Sequence, residues 1–512
     1  MFVGGQDYSI TGGTLKGAAG ADLVVHQRGA GTLTISSTIA DNVSATALTK
    51  AGAGTLTLAA ANTFTGATYL NGGVVSISAN NNLGASATGA AVYFSGGALQ
   101  ATAAVSLANG GSNARALVLG AAGGSIRLSG PAASFTLPGA ISGEGDLTWT
   151  GDTAYPDTLS KLTGTQANTF TGTTFLTCGT MGLQKPSATD ALAGDVVVGG
   201  GASRAVLTLL ANDQIRDSSA LTLRLAGDAT AGYLRLNGFQ ETLGGLASDA
   251  AGAGIVENAA GSPSTLTIAT IAGMDYSFSG VLRNGAGGVL NLVKAGPGSQ
   301  ILAGTNAYTG LTTVSAGTLS INGTTAGAGF TLDGGLLNGS GTIRFLDGNL
   351  IDDNAAMDAS SMHFDLSALS VASATLVDYT GGSFTGPGDL NQLLTSGSYA
   401  AGWRLSDTGS ALTAVLVATH AGDVNGDGQV SLLDYNVIKA NFGNTYGSGN
   451  HWSDGDVNGD GQVGLLDFNI VKAHFGHTTG DSSLTAMPEP AAFLPLLAFL
   501  PILSARARRP KV

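Results

Sequence analysis

Short stretches of the chain alternate apolar and small hydroxyl residues, as in TLTI at residues 32–35 and TLTL at residues 55–58. A period of two puts the apolar side chains on one face of a strand. Glycine-rich breaks follow at Asn71-Gly72-Gly73, Ser95-Gly96-Gly97 and Asp333-Gly334-Gly335, as expected where a tight turn needs positive φ. The pattern recurs as a larger unit. Residues 48–77 read LTKAGAGTLTLAAANTFTGATYLNGGVVSI and residues 292–321 read LVKAGPGSQILAGTNAYTGLTTVSAGTLSI, each with a lysine 12 positions before an asparagine (Lys50 and Asn62, Lys294 and Asn306). A shorter third copy pairs Lys161 with NTFTGTTFLTCGTMGL from Asn168, and RGAGTLTI from Arg28 is a fragment of the same unit. A four-residue strand cannot bury its face alone, but strands stacked along one axis build a continuous core. The pattern therefore predicts a mainly β chain: a right-handed parallel β-helix (β-solenoid) over residues 1–344, then a terminal β region or cap over 345–420. A series of antiparallel β-sandwiches fits the same turn spacing and stays open as the alternative.

Composition narrows the class. The 512 residues include 80 glycines, about twice the usual ~7%. With 43% hydrophobic and 11% charged residues and a mean hydropathy of +0.25, the chain lacks the signature of disorder. The glycines follow no three-residue period and only 12 prolines accompany them, which excludes collagen. A net charge of -13 would repel a phosphate backbone, which argues against nucleic acid as a partner. Cys178 is the single cysteine; it permits no intrachain disulfide and reads as a small, partly buried apolar residue.

The two full repeat copies resemble the autotransporter-associated β-strand repeat of bacterial surface passengers, of approximate consensus L-x-K-x-G-x-G-T-L-x-L-x-G-x-N-T-Y-T-G. The resemblance implies an extracellular β-helical stalk.

A second motif lies downstream. DVNGDGQVSLLD at residues 423–434 and DVNGDGQVGLLD at residues 456–467 stand 33 positions apart. Oxygen-bearing residues at loop positions 1, 3, 5 and 12, with glycine at 6, match the spacing that wraps a hard cation in six to eight oxygens. The first candidate site is Asp423, Asn425, Asp427, the Gln429 carbonyl, Ser431 and Asp434; the second is Asp456, Asn458, Asp460, the Gln462 carbonyl and Asp467, with Gly464 leaving one place to water. Each loop runs into one helix-like segment, LLDYNVIKANFG or LLDFNIVKAHFG, and Asp stands at position 12 in place of Glu. This duplicated loop-helix pattern resembles the type I dockerin, which implies a small α-helical calcium-binding module over 421–481, two Ca2+ sites and a cohesin-like partner. Dockerins commonly meet cohesin through positions 10 and 11, usually small hydroxyl residues. Here those positions hold Leu432, Leu433, Leu465 and Leu466, which puts cellulosomal docking in doubt. These leucines are expected to pack the two helices together or against the solenoid.

After a linker at 482–486, the tail over 487–512 carries Pro488-Glu489-Pro490, the apolar run AAFLPLLAFLPIL, and Arg506, Arg508 and Arg509. Thirteen apolar residues make a helix of ~20 Å, short of the ~30 Å hydrocarbon core, which suits transient rather than permanent membrane contact. The order of the three parts resembles a PEP-CTERM sorting signal, which implies a C-terminal hydrophobic sorting helix processed by an exosortase-like enzyme. Such sorting needs prior export. Residues 1–10 show neither a basic nor an apolar leader segment, so a signal peptide is expected upstream of this chain.

Evidence for catalysis is sparse. Asp352-Asp353 is the adjacent acidic pair before the calcium motif, and paired carboxylates can act as acid and base. His26 and His363 have no identifiable triad partner, and the helix dipole accounts for His474 and His477 near a helix end. The favoured reading is a non-enzymatic, exported structural or adhesive protein of the cell surface or extracellular matrix. A polysaccharide-degrading or carbohydrate-binding component docked through the dockerin-like module is the alternative.

Overall fold

The computed structural model describes residues 5–478 apart from 86–89, 109–113, 226–230, 250–251, 286, 326, 328, 347, 349, 372, 396–397, 399–402, 417–421, 426, 447–451 and 459. The expected linker at 482–486 and the expected sorting signal, with Pro488, Glu489, Pro490, Arg506, Arg508 and Arg509, lie outside the described residues. The chain divides into two compact units: Met1–Leu393 with Leu405–Ala414, and Leu394–Arg404 with Val415–Val512.

The first unit is a parallel β-solenoid of about 15 turns. One face stacks Tyr8–Ile10, Thr32–Ile35, Thr55–Leu58, Val74–Ile77, Ala98–Ala101, Gly124–Leu128 and Leu147–Thr150, each parallel to the next. A second stacks Leu23–His26, Leu48–Ala51, Thr68–Leu70, Val92–Phe94, Leu117–Leu119 and Ile141–Gly143. A third carries Ala104–Ser106, Ser134–Leu137 and Leu159–Leu162, and further on Ala205–Leu209, Gly232–Arg235, Ile255–Asn258 and Val281–Asn284. The step from turn to turn ranges from 18 residues (Thr313 to Thr331) to 30 (Val105 to Phe135). These parallel registers exclude the β-sandwich alternative. Parallel pairing continues past residue 344, through Ile351–Asp353 and Ala356–Asp358 to Phe384–Thr385.

The alternating pattern does its work inside. Leu33, Leu56, Val75, Leu99, Ile126, Trp149 and Leu176 occupy one register position on seven successive turns, and none is more than 1% exposed. They form an apolar column along the axis. Cys178 is also buried.

The polar residues of the repeat satisfy the corners of the solenoid. Lys50 is fully buried, and its ammonium donates to the carbonyls of Ala51 (3.0 Å), Gly52 (2.7 Å) and, one turn on, Gly72 (3.3 Å). Lys294 repeats this with Ala295 (2.7 Å), Gly296 (2.8 Å) and Ala316 (3.1 Å). Three carbonyls match the three donors of an ammonium group. Gly73 must be glycine: its φ is +65°, and a Cβ there would lie 2.4 Å from the Gly52 and Gly54 carbonyl oxygens. Asn62 accepts from the Ile39 amide of the preceding turn (2.7 Å) and donates to the Asn82 carbonyl of the following one (2.6 Å). Asn168 does the same between Ile141 (2.8 Å) and Ala191 (2.7 Å). Asn306 accepts from Leu282 (3.0 Å) but turns its amide to Gly304 in its own turn (3.2 Å). The aromatic residues two positions on, Phe64, Phe170 and Tyr308, are buried.

Lys161 does not play this part in the third copy. It lies half-buried on Leu159–Leu162, on another face, whereas the register position of Lys50 passes through Leu70, Phe94 and Leu119 to Gly143.

The second unit contains two ten-residue helices, α1 (Leu432–Asn441) and α2 (Leu465–His474), each following one DVNGDG loop. The halves match at an offset of 33 residues. Gly443 donates to the Val463 carbonyl and Gly476 to that of Val430; Val463 donates to Asn444 and Val430 to His477. Each loop is thus tied to the segment that follows the other half's helix. Val424, Val430, Ile438, Val457, Val463 and Val471 are buried, and the Tyr435 and Phe468 rings meet edge to face at 5.5 Å.

Candidate metal centre

The two loops share one hydrogen-bond plan. Asp423 and Asp456, at position 1, accept from the amides of Gly428 (3.0 Å) and Gly461 (2.9 Å). Both glycines sit at positive φ, +83° and +82°, as the sharp turn at position 6 demands. Asn425 and Asn458, at position 3, accept from the Asp427 and Asp460 amides and donate to the same residues' carboxylates at 3.0 Å. Asp427 and Asp460 in turn accept from the Gln429 and Gln462 amides at 2.9 Å.

Position 12 is also the third residue of the helix, and there the aspartate closes the loop. Asp434 accepts from the Asn425 amide (2.9 Å) with one oxygen and from the Ser431 amide (2.8 Å) with the other; Asp467 does so with Asn458 (3.1 Å) and Gly464 (2.8 Å). Ser431 caps α1: its hydroxyl accepts from the Leu433 amide (3.1 Å) and donates to Asp434 (3.2 Å). Gly464 holds the corresponding position before α2 and has no side chain to offer.

Burial splits each set. Asp423, Asp434 and Asp467 are fully buried and Asp456 is 4% exposed, whereas Asn425, Asp427, Asn458 and Asp460 face solvent. Among the described residues no three His, Cys, Asp or Glu side chains are drawn to one point. The donor chemistry nevertheless fits a hard divalent ion. Each loop supplies three aspartates and an asparagine, and Asp434 and Asp467 are buried carboxylates met by neutral amide and hydroxyl donors. Such charge costs several kcal/mol to bury, and a cation would offset it.

Residues 421–483 match the dockerin type I domain. Dockerin type I domains are generally calcium-binding and generally bind cohesins. Residues 48–77 and 292–321 match the passenger-associated-transport-repeat, so the two copies with lysine-capped corners are those the repeat family covers. The chain is also 31% identical, over 334 residues and 61% of its length, to the adhesin BmaC autotransporter of Brucella suis biovar 1 (strain 1330). It spans 8% of that protein's length. No solved structure matches the chain.

The leucines at positions 10 and 11 do not pack the helices together. Leu432, Leu433, Leu465 and Leu466 are 47%, 60%, 63% and 62% exposed. The buried stripe of α1 runs through Asp434 and Ile438, four residues apart, and that of α2 through Asp467 and Val471. The leucines, one and two residues before each aspartate, fall off that stripe.

Candidate catalytic groups are kept apart. Asp352 and Asp353 are neighbours in Ile351–Asp353, one exposed and one buried, so their side chains leave opposite faces. His26 is exposed at a strand end, His363 lies on a separate strand of the third face, and the His474 ring bonds the Ile470 carbonyl at 2.8 Å.

Proposed function

We propose that the protein is an exported structural or adhesive component of the cell surface or extracellular matrix: a non-enzymatic β-solenoid stalk ending in a calcium-folded module with two Ca2+ sites. The observation that carries this reading is the long parallel stack in which the repeat's lysines and asparagines serve to join turns. Asp423, Asn425, Asp427, Gln429, Ser431 and Asp434 would hold one ion, and Asp456, Asn458, Asp460, Gln462 and Asp467 the other. Calcium would fold the module, since the buried aspartates lose their repulsion when an ion neutralises them.

The exposed leucine pairs suit a cohesin-like partner with an apolar rather than hydroxyl-matched surface. The tail suits transient membrane contact and processing by an exosortase-like enzyme after export. The test displays the chain on a non-adherent bacterium and measures attachment to surfaces and matrix, with residues 1–420 assayed in parallel against plant and algal polysaccharides. Gain of attachment is expected. Release of new reducing ends from any substrate would replace this reading with the polysaccharide-degrading one.

A further inference from the structure

The ion pairs described in the solenoid join residues from different turns. Arg204 meets Asp157, Arg216 meets Asp190, Arg224 meets Asp249 and Arg344 meets Asp365, one carboxylate to each guanidinium. Glu257 is different, because two arginines share it. Arg235, Glu257 and Arg283 occupy the same register position on three successive turns. Arg235 Nε donates to one Glu257 oxygen (2.7 Å), and Arg283 donates to the other through Nε (3.0 Å) and a terminal nitrogen (2.6 Å). Burial pushes the Glu257 carboxyl up, but the bonds from Arg283 and Arg235 outweigh it and hold it below the usual range. The glutamate is therefore ionised, and the trio carries a net positive charge in a chain of net charge -13.

The trio borders a surface cleft of about 510 Å³, lined by Arg235, Glu257, Ala259, Arg283, Asn284 and Gly285. The Glu257 side chain is 7% exposed, but those of Arg235 and Arg283 are 31% and 42% exposed, which leaves guanidinium donors facing the cleft. The fork is pre-organised. Arg235 lies 5.3 Å from the centre of the Tyr233 ring, and the shared carboxylate fixes both guanidiniums from below. A Cβ on Gly285 would lie 2.2 Å from the Asn258 carbonyl oxygen, so the cleft floor needs its glycine.

We propose that this cleft is a binding site for an acidic polysaccharide, with Arg235 and Arg283 pairing with a sugar carboxylate or sulfate. Guanidiniums match such planar or multi-oxygen anions, and Asn284 adds a polar side chain beside them. An acidic peptide is disfavoured. The strands here are paired with the turns above and below, leaving no open edge for a peptide backbone, and Ala259 and Gly285 form no apolar pocket. The proposal rests on the adhesive reading for its purpose and supplies that reading with a ligand class.

The test measures binding of the full chain to polygalacturonate, to its fully methyl-esterified counterpart, to chondroitin sulfate and to polyglutamate. Salt-sensitive binding to an acidic glycan and none to the esterified polymer is expected. Arg235→Gln and Arg283→Gln should each loosen binding about tenfold or more. Ala259→Glu keeps both arginines and their staple but places a carboxylate in the cleft; it should lose binding with an unchanged thermal unfolding profile, which separates ligand loss from misfolding. The proposal is overturned if the wild-type chain binds neither acidic glycan, if the esterified polymer binds equally well, if Ala259→Glu and Arg283→Gln keep wild-type affinity, or if polyglutamate binds more tightly. The displayed chain separates the two readings. Attachment by the wild type without glycan binding removes the site and leaves adhesion standing, whereas no attachment by the wild type removes the adhesive reading itself.

Discussion

Replacing Asn62 with alanine should open the solenoid at one place. Asn62 is 4% exposed and its amide spans three turns, accepting from Ile39 at 2.7 Å and donating to Asn82 at 2.6 Å. Truncation strands one buried N–H and one buried C=O, each costing ~1–3 kcal/mol, so the local loss is about 2–4 kcal/mol where water partly relieves it. In hydrogen exchange that is roughly a 30- to 1000-fold fall in protection. Because a solenoid's stability is nearly a sum over neighbouring turns, the fall should be confined to peptides covering 32–40 and 55–85. Peptides covering the second full copy, 292–321, should exchange as before. Mass-spectrometric exchange on the intact chain reads both regions at once. Unchanged protection at Ile39, or an equal loss in the distant copy, would refute the assignment of Asn62 as a bridge between turns.

Three further outcomes follow from the geometry. Gly455→Ala should destabilise the dockerin-like module by about 1–3 kcal/mol, since Gly455 has φ +109° and a Cβ there would lie 3.1 Å from the Ile438 Cα; thermal melts in excess calcium followed by circular dichroism would register it. Asp423→Ala combined with Asp456→Ala should abolish calcium-dependent helix formation and both heats in calorimetric titration, whereas either substitution alone should leave one site. Burial pushes the Glu241 carboxyl up to about 8, against lowering by the Gln214 and Ile215 amides, so the folded chain holds a proton that the unfolded chain releases between the ordinary glutamate value and about pH 8. Its contribution to stability should fall as pH rises through that window, and Glu241→Gln should flatten this part of the pH dependence of the urea midpoint.

Much of this architecture is legible in the residues. TLTL at 55–58 announces its buried face because alternate positions of a strand diverge, and Gly428 and Gly461 mark their loops because position 6 needs positive φ. The parallel sense of the strands is favoured by the stacked repeats but decided only by the registers, because turn residues at such spacing serve hairpins and solenoid corners alike. Lys50 and Asn62 stand in the repeat pattern, but their partners are main-chain atoms of other turns, which side-chain identity does not reveal. Lys161 misleads because the insertion between Leu147–Thr150 and Asn168 moves the nearest lysine onto another face. Leu432 and Leu433 mislead because an apolar pair at a helix start looks like core until the inward stripe through Asp434 and Ile438 is located.

The unequal turns also bear on mechanics. A stacked strand occupies ~4.8 Å along the axis, but the 18 to 30 residues of a turn would pay out roughly 60 to 105 Å of slack if pulled free. A tether built this way yields in discrete steps from a loaded end while the turns behind stay folded. Lys50 and Lys294, each bonded into the next turn, would be the points at which such peeling pauses.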